Sequence, residues 1–450
     1  MSIADLHGLP LSTSSAETAS LFNDAVLGFL KYRADTPKRA GKLLAADPDF
    51  AFGHTLRGYF LMTPFNAASL PAAREELGKA RSLSVGTTRR EQAHVEALAT
   101  WVAGDIDATL RNWEQILDEH PLDLLAFRLH HFNAFWHGRP DLMGAQADAA
   151  LRRWGRELPA FASMLGCHCF AHEELGDYAV AEKSGREAVE LTPDDLWATH
   201  AIAHVLEMQG RHEEGIAWLE TLEPNWEGGN NILHHLWWHR GLYHYERGEF
   251  DKVLDLYDRR FRNLASPLTQ SQPDFTTDIQ NAVSMLFRLQ RQGVDAGDRW
   301  GELADRAEAR IGDVLSPFTQ PHWMLALCAA GRWEAAGRML EALRSAPGQP
   351  EGGVGPLVRA YALPIAEAIL ARAKGDAGRA CDLMRPALAG MNRLGGSHAQ
   401  QDVLEQFFLD CAVEARRKDD VGALIDRVRR RHPVPPQRRM GYRDALALLN

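Results

Sequence analysis

Cysteine is scarce in this 450-residue chain, and an excess of basic charge is missing. The five cysteines, Cys167, Cys169, Cys328, Cys381 and Cys411, are odd in number and share no paired spacing beyond Cys167/Cys169, which argues against a disulfide framework. An interval of two residues turns that pair to different sides of a helix, so it makes a poor metal site. All five read as small buried residues of a reduced compartment. Fifty Lys and Arg against 60 Asp and Glu leave a net charge of −10. No nucleic-acid partner is expected from that balance, since phosphate binding needs a concentrated basic surface. The short run Arg427 to Arg431 reads as the solvated end of a helix.

Other absences narrow the function classes. Met1 to Phe22 lacks a basic segment followed by an apolar one, so no signal peptide is expected. No apolar run approaches the roughly 20 residues that cross a bilayer, so no membrane is expected and the cytoplasm is the expected location. Alternating strand patterns are essentially missing. No phosphate loop or dinucleotide fingerprint is present, and no nucleotide cofactor is expected. Neither a Gly-x-Ser-x-Gly elbow nor a reactive-cysteine context supports nucleophilic catalysis.

What is present is a glycine period. Gly104, Gly138, Gly176, Gly210 and Gly248 are separated by 34, 38, 34 and 38 residues, and Gly293, Gly331 and Gly375 continue the series. Each follows one helical pattern and precedes another, and glycine suits such turns because it takes the left-handed conformation without a Cβ penalty. Pro121 and Pro193 each lie 17 residues past a glycine, where a second helix should stop. A two-helix unit of roughly 34 residues is the tetratricopeptide period. Helices are also expected over Ala16 to Tyr32, Phe50 to Leu61 and Ala72 to Leu83, and loops over Glu223 to Asn230, Ser266 to Asp274 and Ala346 to Gly355. The fold class is therefore all-α: a tetratricopeptide-like solenoid of stacked helical hairpins, wound as a right-handed superhelix. One domain is expected over 1–450, with N-terminal helices to 90, regular hairpins over 91–390 and C-terminal capping helices over 391–450.

The glycines set a register. Repeats of this class, by resemblance, line their concave face with residues about thirteen, ten, nine, six and three places before that glycine, and pack inward those about eleven, eight and seven before it. His200, His204 and Glu207 precede Gly210 by ten, six and three residues, and their i, i+4, i+7 spacing forms one stripe of a helix. His235 and His239 precede Gly248 by thirteen and nine, and His322 precedes Gly331 by nine. All six are expected to face the groove. His130 and His168 fall on the packing side, His131 at a close-contact position on the floor, and His212 and His244 at surface or packing positions. Nine of the 19 histidines lie between His168 and His244, a density that directs attention to function.

The chain resembles the tetratricopeptide repeat protein 38 family. The likeness is carried by Ala46-Asp47-Pro48 with Phe50-Ala51 and Gly53-His54, Thr88-Arg89-Arg90-Glu91-Gln92 with His94-Val95, and Glu119-His120-Pro121 with Asp123. It continues through Trp197 with His200, Ala203-His204 and Glu207-Met208, then His235 with Trp238-His239, Ser284-Met285-Leu286 with Arg288-Leu289-Gln290, and Gly395-Gly396-Ser397 with Ala399-Gln400 and Asp402-Val403. The resemblance implies the repeat fold over almost the whole chain but no settled activity. It matches His54, His94, His131, His200, His204, His235, His239 and His322, and does not match His130, His137, His168, His172, His212, His234 or His244.

Two His-x-x-x-His stripes on neighbouring helices, with a carboxylate beside them, suit one divalent metal such as zinc or iron, with His200, His204, Glu207, His235 and His239 as ligands. Glu207, His204 and His131 are the candidate acid–base groups, with or without metal. Arg89, Arg90, His94, His322, Gln400 and Asp402 are candidate ligand-binding residues if the superhelix curls enough to bring its ends together. Each has a structural reading as well: Arg89-Arg90-Glu91 as a charged first helical turn, Gly395-Gly396-Ser397 as a turn and N-cap, and Trp113, Trp218, Tyr257 and Trp333 as core. Three functions stay open: a metal-dependent hydrolase or lyase acting on a small polar substrate, a scaffold holding a peptide or partner in the groove, and a small-molecule binder without catalysis. Exposed terminal hairpins are compatible with a homodimer.

Overall fold

The computed structural model describes residues 3–346 and 353–449. Among them there is no strand, only three isolated bridges, and helices follow one another along the chain. All eight period glycines end a helix with φ between 63° and 87°, the left-handed turn that the spacing predicts. Two of the expected N-terminal helices run over Ala16–Leu30 and Ala51–Met62, and the third over Leu70–Leu83. The first two expected loops hold short helices, Glu223–Asn225 and Pro267–Ser271. The third falls partly outside the described residues, at positions 347–352.

First helices of successive hairpins lie side by side: Phe161–Glu174 against Leu196–Met208, then Ile232–Glu246, then Thr276–Arg291, then Thr319–Ala329, then Leu363–Ala373. Short N-cap residues fix where the helices Leu124–Trp136 and Leu196–Met208 begin. The Asp123 and Asp195 side chains accept from Ala126 N and Ala198 N at 2.8 and 3.0 Å, leaving one oxygen of each free for the interior. Every residue of the Leu196–Met208 helix is buried except Glu207, which is partly buried. A helix covered on all sides must either be apolar all round or pair its polar groups inside. That requirement falls on His200 and His204.

The solenoid curls until its ends meet. The helix His398–Glu414 lies against Thr276–Arg291 and Leu196–Met208, and Gln400 Nε2 donates to Gln280 Oε1 at 3.1 Å. From the other end, Asn230 N donates to Tyr32 O at 2.7 Å and Ala34 N to Gly228 O at 3.0 Å. Arg310 Nη2 reaches Phe65 O at 3.1 Å. Two turns cross with no room for a side chain: a Cβ on Gly138 would lie 1.9 Å from Asn392 O, and one on Gly395 2.2 Å from Trp136 O. Gly395-Gly396-Ser397 thus serves as a turn and a cap, with Ser397 accepting from Gln400 N in a capping box.

Two expectations are corrected here. Trp333, read as core, is 48% exposed, whereas Trp113 is fully buried with its Nε1 bonded to Tyr59 OH. One helical run among the described residues, Val354–Ala373, is long and apolar enough to cross a membrane, where none was expected. Half of that run is buried in the fold, as suits a core helix of the array.

Candidate metal centre

His200 and His204 stand one turn apart on Leu196–Met208, and His235 and His239 one turn apart on Ile232–Glu246, the helix packed beside it. The result is a tetrad, fully inside the protein, in which one ring nitrogen of each histidine lies within 4.8 Å of the others. His200 Nε2 and His204 Nε2 are 2.9 Å apart, and the ring centroids of His204 and His239 are separated by 4.3 Å. Imidazole–metal bonds of about 2.0–2.1 Å set neighbouring donors about 3–3.5 Å apart, a spacing that the closest pair already has and that the others would reach by closing inward.

The surroundings determine which nitrogens are available. His235 Nδ1 donates to Asn281 Oδ1 at 2.9 Å, and His239 Nδ1 lies 2.7 Å from Glu207 Oε2. Both bonds leave Nε2 as the free donor atom, and His239 Nε2 has no partner. His204 Nδ1 faces Glu173 Oε2 at 3.8 Å. Outer partners of this kind fix the tautomer and orientation of a metal-binding imidazole. Burial pushes all four rings far below the usual histidine range, His235 and His239 to about 3. They are therefore neutral at physiological pH, with lone pairs open to a cation. Burial also lifts the Glu207 carboxyl to about 8 and raises Glu173 well above its ordinary value, the latter helped by neighbouring Glu174.

One side of the tetrad opens into a cavity of about 190 Å³. Its inner end includes His200, His235, Trp197 and Gln400, and its walls include Phe29, Phe60, Phe132 and Phe275. N-terminal, central and C-terminal residues thus meet at one place. On the other side, Glu207 borders a small polar junction with Arg288, Asp402 and Arg439.

The residues singled out in the sequence separate into distinct groups. His200, His204, His235 and His239 converge. Glu207 stands outside the converging nitrogens, with its carboxyl group on His239. Gln400 reaches the cavity. Asp402 does not; Arg439 Nη2 and Tyr442 OH hold its Oδ1 and Arg288 Nη2 lies 3.4 Å from Oδ2. Burial alone would raise its pKa, but Arg439 and Arg288 outweigh burial and keep the carboxyl below the usual range. Arg90 and His94 join Asp123 at the N-terminal end, far from the tetrad in the packing, and Arg89 is exposed. His322 Nδ1 bonds to Phe318 O at 2.9 Å in its own helix. His131 is separated from the tetrad by Phe170 and Trp197, whose rings lie 6.1 and 6.0 Å from it. His168 and His172 instead share Asp148, whose side chain is half-exposed, in a second group.

Sequence reasoning passed over Glu173, Asn281 and the aromatic cavity. For Glu173 a signal existed: it precedes Gly176 by three residues, as Glu207 precedes Gly210.

No protein-family model matches the chain. Its fold is similar to repeat proteins of known structure. Human IFIT1, solved as a dimer with m7Gppp-AAAA, is 13% identical over 97% of this chain and 94% of its own, with a TM-score of 0.42. Yeast Tom70 is 12% identical over 95% of this chain and 87% of its own (TM-score 0.36). The Cut9–Hcn1 hetero-tetramer of APC/C gives 14% identity over 84% of this chain and 68% of its own (TM-score 0.40). The chain is an all-α, tetratricopeptide-like helical-repeat protein.

Proposed function

We propose that this protein is a metal-dependent enzyme of the hydrolase or lyase type. One divalent cation, zinc or iron, is held by His200, His204, His235 and His239, and a small molecule reaches it through the aromatic cavity. The observation that carries this reading is the convergence of four neutral, buried imidazoles at the inner end of a cavity, with His239 Nε2 unpartnered and the Nε2 atoms of His200 and His204 meeting each other. Buried polar atoms are normally paired, and such a gathering of unpaired donors calls for a ligand. Imidazole suits zinc, iron, copper or nickel, and a bound cation of this kind polarises a carbonyl or activates water. Within the chain, Glu207 and Asn281 orient His239 and His235, and the aromatic walls exclude bulk water. The lining favours a substrate with an apolar body over a wholly polar one. On this reading the resemblance to the tetratricopeptide repeat protein 38 family extends to the site, since all four tetrad histidines stand at matching positions.

The scaffold reading has less support. The helix His398–Glu414 covers inner faces along which an extended peptide would run.

Elemental analysis of protein purified without a tag or chelator tests the proposal. About one equivalent of metal is expected in the parent and none in the His200→Ala/His239→Ala double variant. Absence of metal in the parent, with no uptake on titration with zinc or ferrous iron, would sink it.

A further inference from the structure

The aromatic cavity carries a charge imbalance that the tetrad does not explain. Among the described residues its lining includes one cation, Arg33, and no carboxylate, in a chain of net charge −10. Behind the wall formed by Phe29, Tyr32, Phe132 and Trp197 lies Arg128, 2% exposed. Its guanidinium carbon is 4.8 Å from the Trp197 ring centroid and 5.2 Å from that of Tyr32. Nη2 donates to Tyr32 OH, while Nε and Nη1 have no partner.

This makes Arg128 an exception within its own protein. The other buried arginines are Arg90, Arg262, Arg288, Arg310 and Arg439, and every one of them is paired with a carboxylate. The carboxylate of Asp195 is reached by the charge of Arg128 but makes its direct bonds to Ser163 Oγ and Ala198 N. Aromatic faces stabilise a cation, but burying a charge without a direct partner costs more than they return. Among the described residues no carboxylate touches the guanidinium, with Asp195 acting on it only through space, and the cavity is where a direct counter-ion can enter. The gate between them is under strain: Tyr32, a bulky residue, is held at φ 54°, where only glycine is at ease. Its ring stacks 5.5 Å from Trp197, and its hydroxyl occupies the single satisfied arm of Arg128.

We infer that the cavity binds a small apolar carboxylate, most simply one with a single aromatic ring. Its carboxylate takes the place of the absent counter-ion at Arg128, with Tyr32 shifting to admit it. The ring lies among Phe29, Phe60 and Phe132, and the remaining end of the molecule faces His200 and His235. The size agrees, because an apolar cavity of about 150 Å³ takes benzene and this one measures about 190 Å³. The inference rests on reading the cavity as the way to the tetrad, and it names the substrate class of that site.

Titration calorimetry and tryptophan fluorescence on the full chain test it, with 3-phenylpropionate and its uncharged amide as probes. The carboxylate should bind at least tenfold more tightly than the amide. Arg128→Gln should erase that preference and leave amide affinity within about twofold. Ala34→Trp, a change at an exposed position on the cavity mouth, should block both probes and does not depend on Arg128 variants folding. Equal affinity of the two probes for the parent, or a preference that survives Arg128→Gln, would overturn the inference. Repeating the titrations in chelator and with His200→Ala/His239→Ala separates the two readings. A carboxylate preference that persists there upholds this inference even if no metal is ever found. Bound metal with no carboxylate preference removes this inference alone.

Discussion

His94 and the tetrad histidines are buried to the same depth, yet their nitrogens have different fates. His94 Nε2 meets Asp123 Oδ2 at 3.0 Å, its Nδ1 lies 3.2 Å from Tyr59 OH, and Arg90 Nη1 reaches Asp123 Oδ2 at 3.2 Å. No atom of that ring is left over. In the tetrad, His200 Nδ1, His204 Nδ1 and His239 Nε2 have no partner. Both groups include histidines that match the same family resemblance, so the match alone does not tell them apart. What separates them is whether the protein itself completes the hydrogen bonding. A completed set holds helices together; an incomplete one awaits something from outside.

The largest effect should come from breaking the completed set. Asp123→Ala deprives His94 of its carboxylate, leaves Arg90 with Asp5 alone and removes the N-cap of Leu124–Trp136, and should cost about 2–4 kcal/mol. Urea unfolding followed by circular dichroism reads this directly. The metal-free His200→Ala/His239→Ala chain should lose less, because no paired charge is stranded by it. If the double variant proved the less stable of the two, the tetrad would be a structural cluster and the contrast would fail. Acid gives a second test. Burial alone would raise the Asp123 pKa, but His94 and Arg90 outweigh it and hold the carboxyl well below the ordinary range. As pH falls, the unfolded chain therefore takes up this proton first. The stabilisation from Asp123 is complete above about pH 4 and is lost as pH drops toward the folded value. Asp123→Asn should thus be less stable than the parent at pH 7, and the gap should narrow at pH 3.

The repeat was legible because glycine is favoured where a helix ends in a left-handed turn, and eight such positions set the phase of the array. That phase also selected the four tetrad histidines. It failed to select Arg128, although Arg128 precedes Gly138 by ten residues, as His200 precedes Gly210. One arginine in a helix reads as a surface charge unless its surroundings are known. Those surroundings come from Phe29 and Tyr32, almost a hundred residues away. The closing of the solenoid was likewise beyond reach, since each repeat specifies contacts with its neighbours while the curl is their accumulated sum. Glu207 shows the limit from another side: register brought it to the site, but only the position of the neighbouring helix decided that it would meet His239 Nδ1.

A smaller effect is expected at that carboxylate. Glu207→Gln keeps the shape and weakens the acceptor that orients His239, so affinity for zinc should fall about 10–100-fold with stoichiometry unchanged. Competition against a chromophoric chelator measures it. A drop to less than half an equivalent would instead make Glu207 a ligand in its own right, and an unchanged affinity would remove it from the site.

The smallest change should follow His131→Leu, and it is the most exacting for the comparison. Both nitrogens of His131 are buried without a partner, so on orphaned atoms alone it belongs with the tetrad. It stands by itself, however, with Phe127, Phe170 and Trp197 around it, and no second donor converges on it. Burial, followed by the charge of Arg128, keeps the ring neutral. Replacing an unpaired polar side chain with an apolar one of similar size removes a desolvation cost and returns packing, so the two effects offset and stability should change by no more than about 1 kcal/mol. Metal content should be unaltered. Loss of metal in His131→Leu would mean that the aromatic layer between His131 and His200 does not isolate the tetrad. Convergence of several orphaned donors would then be too narrow a criterion, and the site would have to be redrawn to include the floor beneath Trp197.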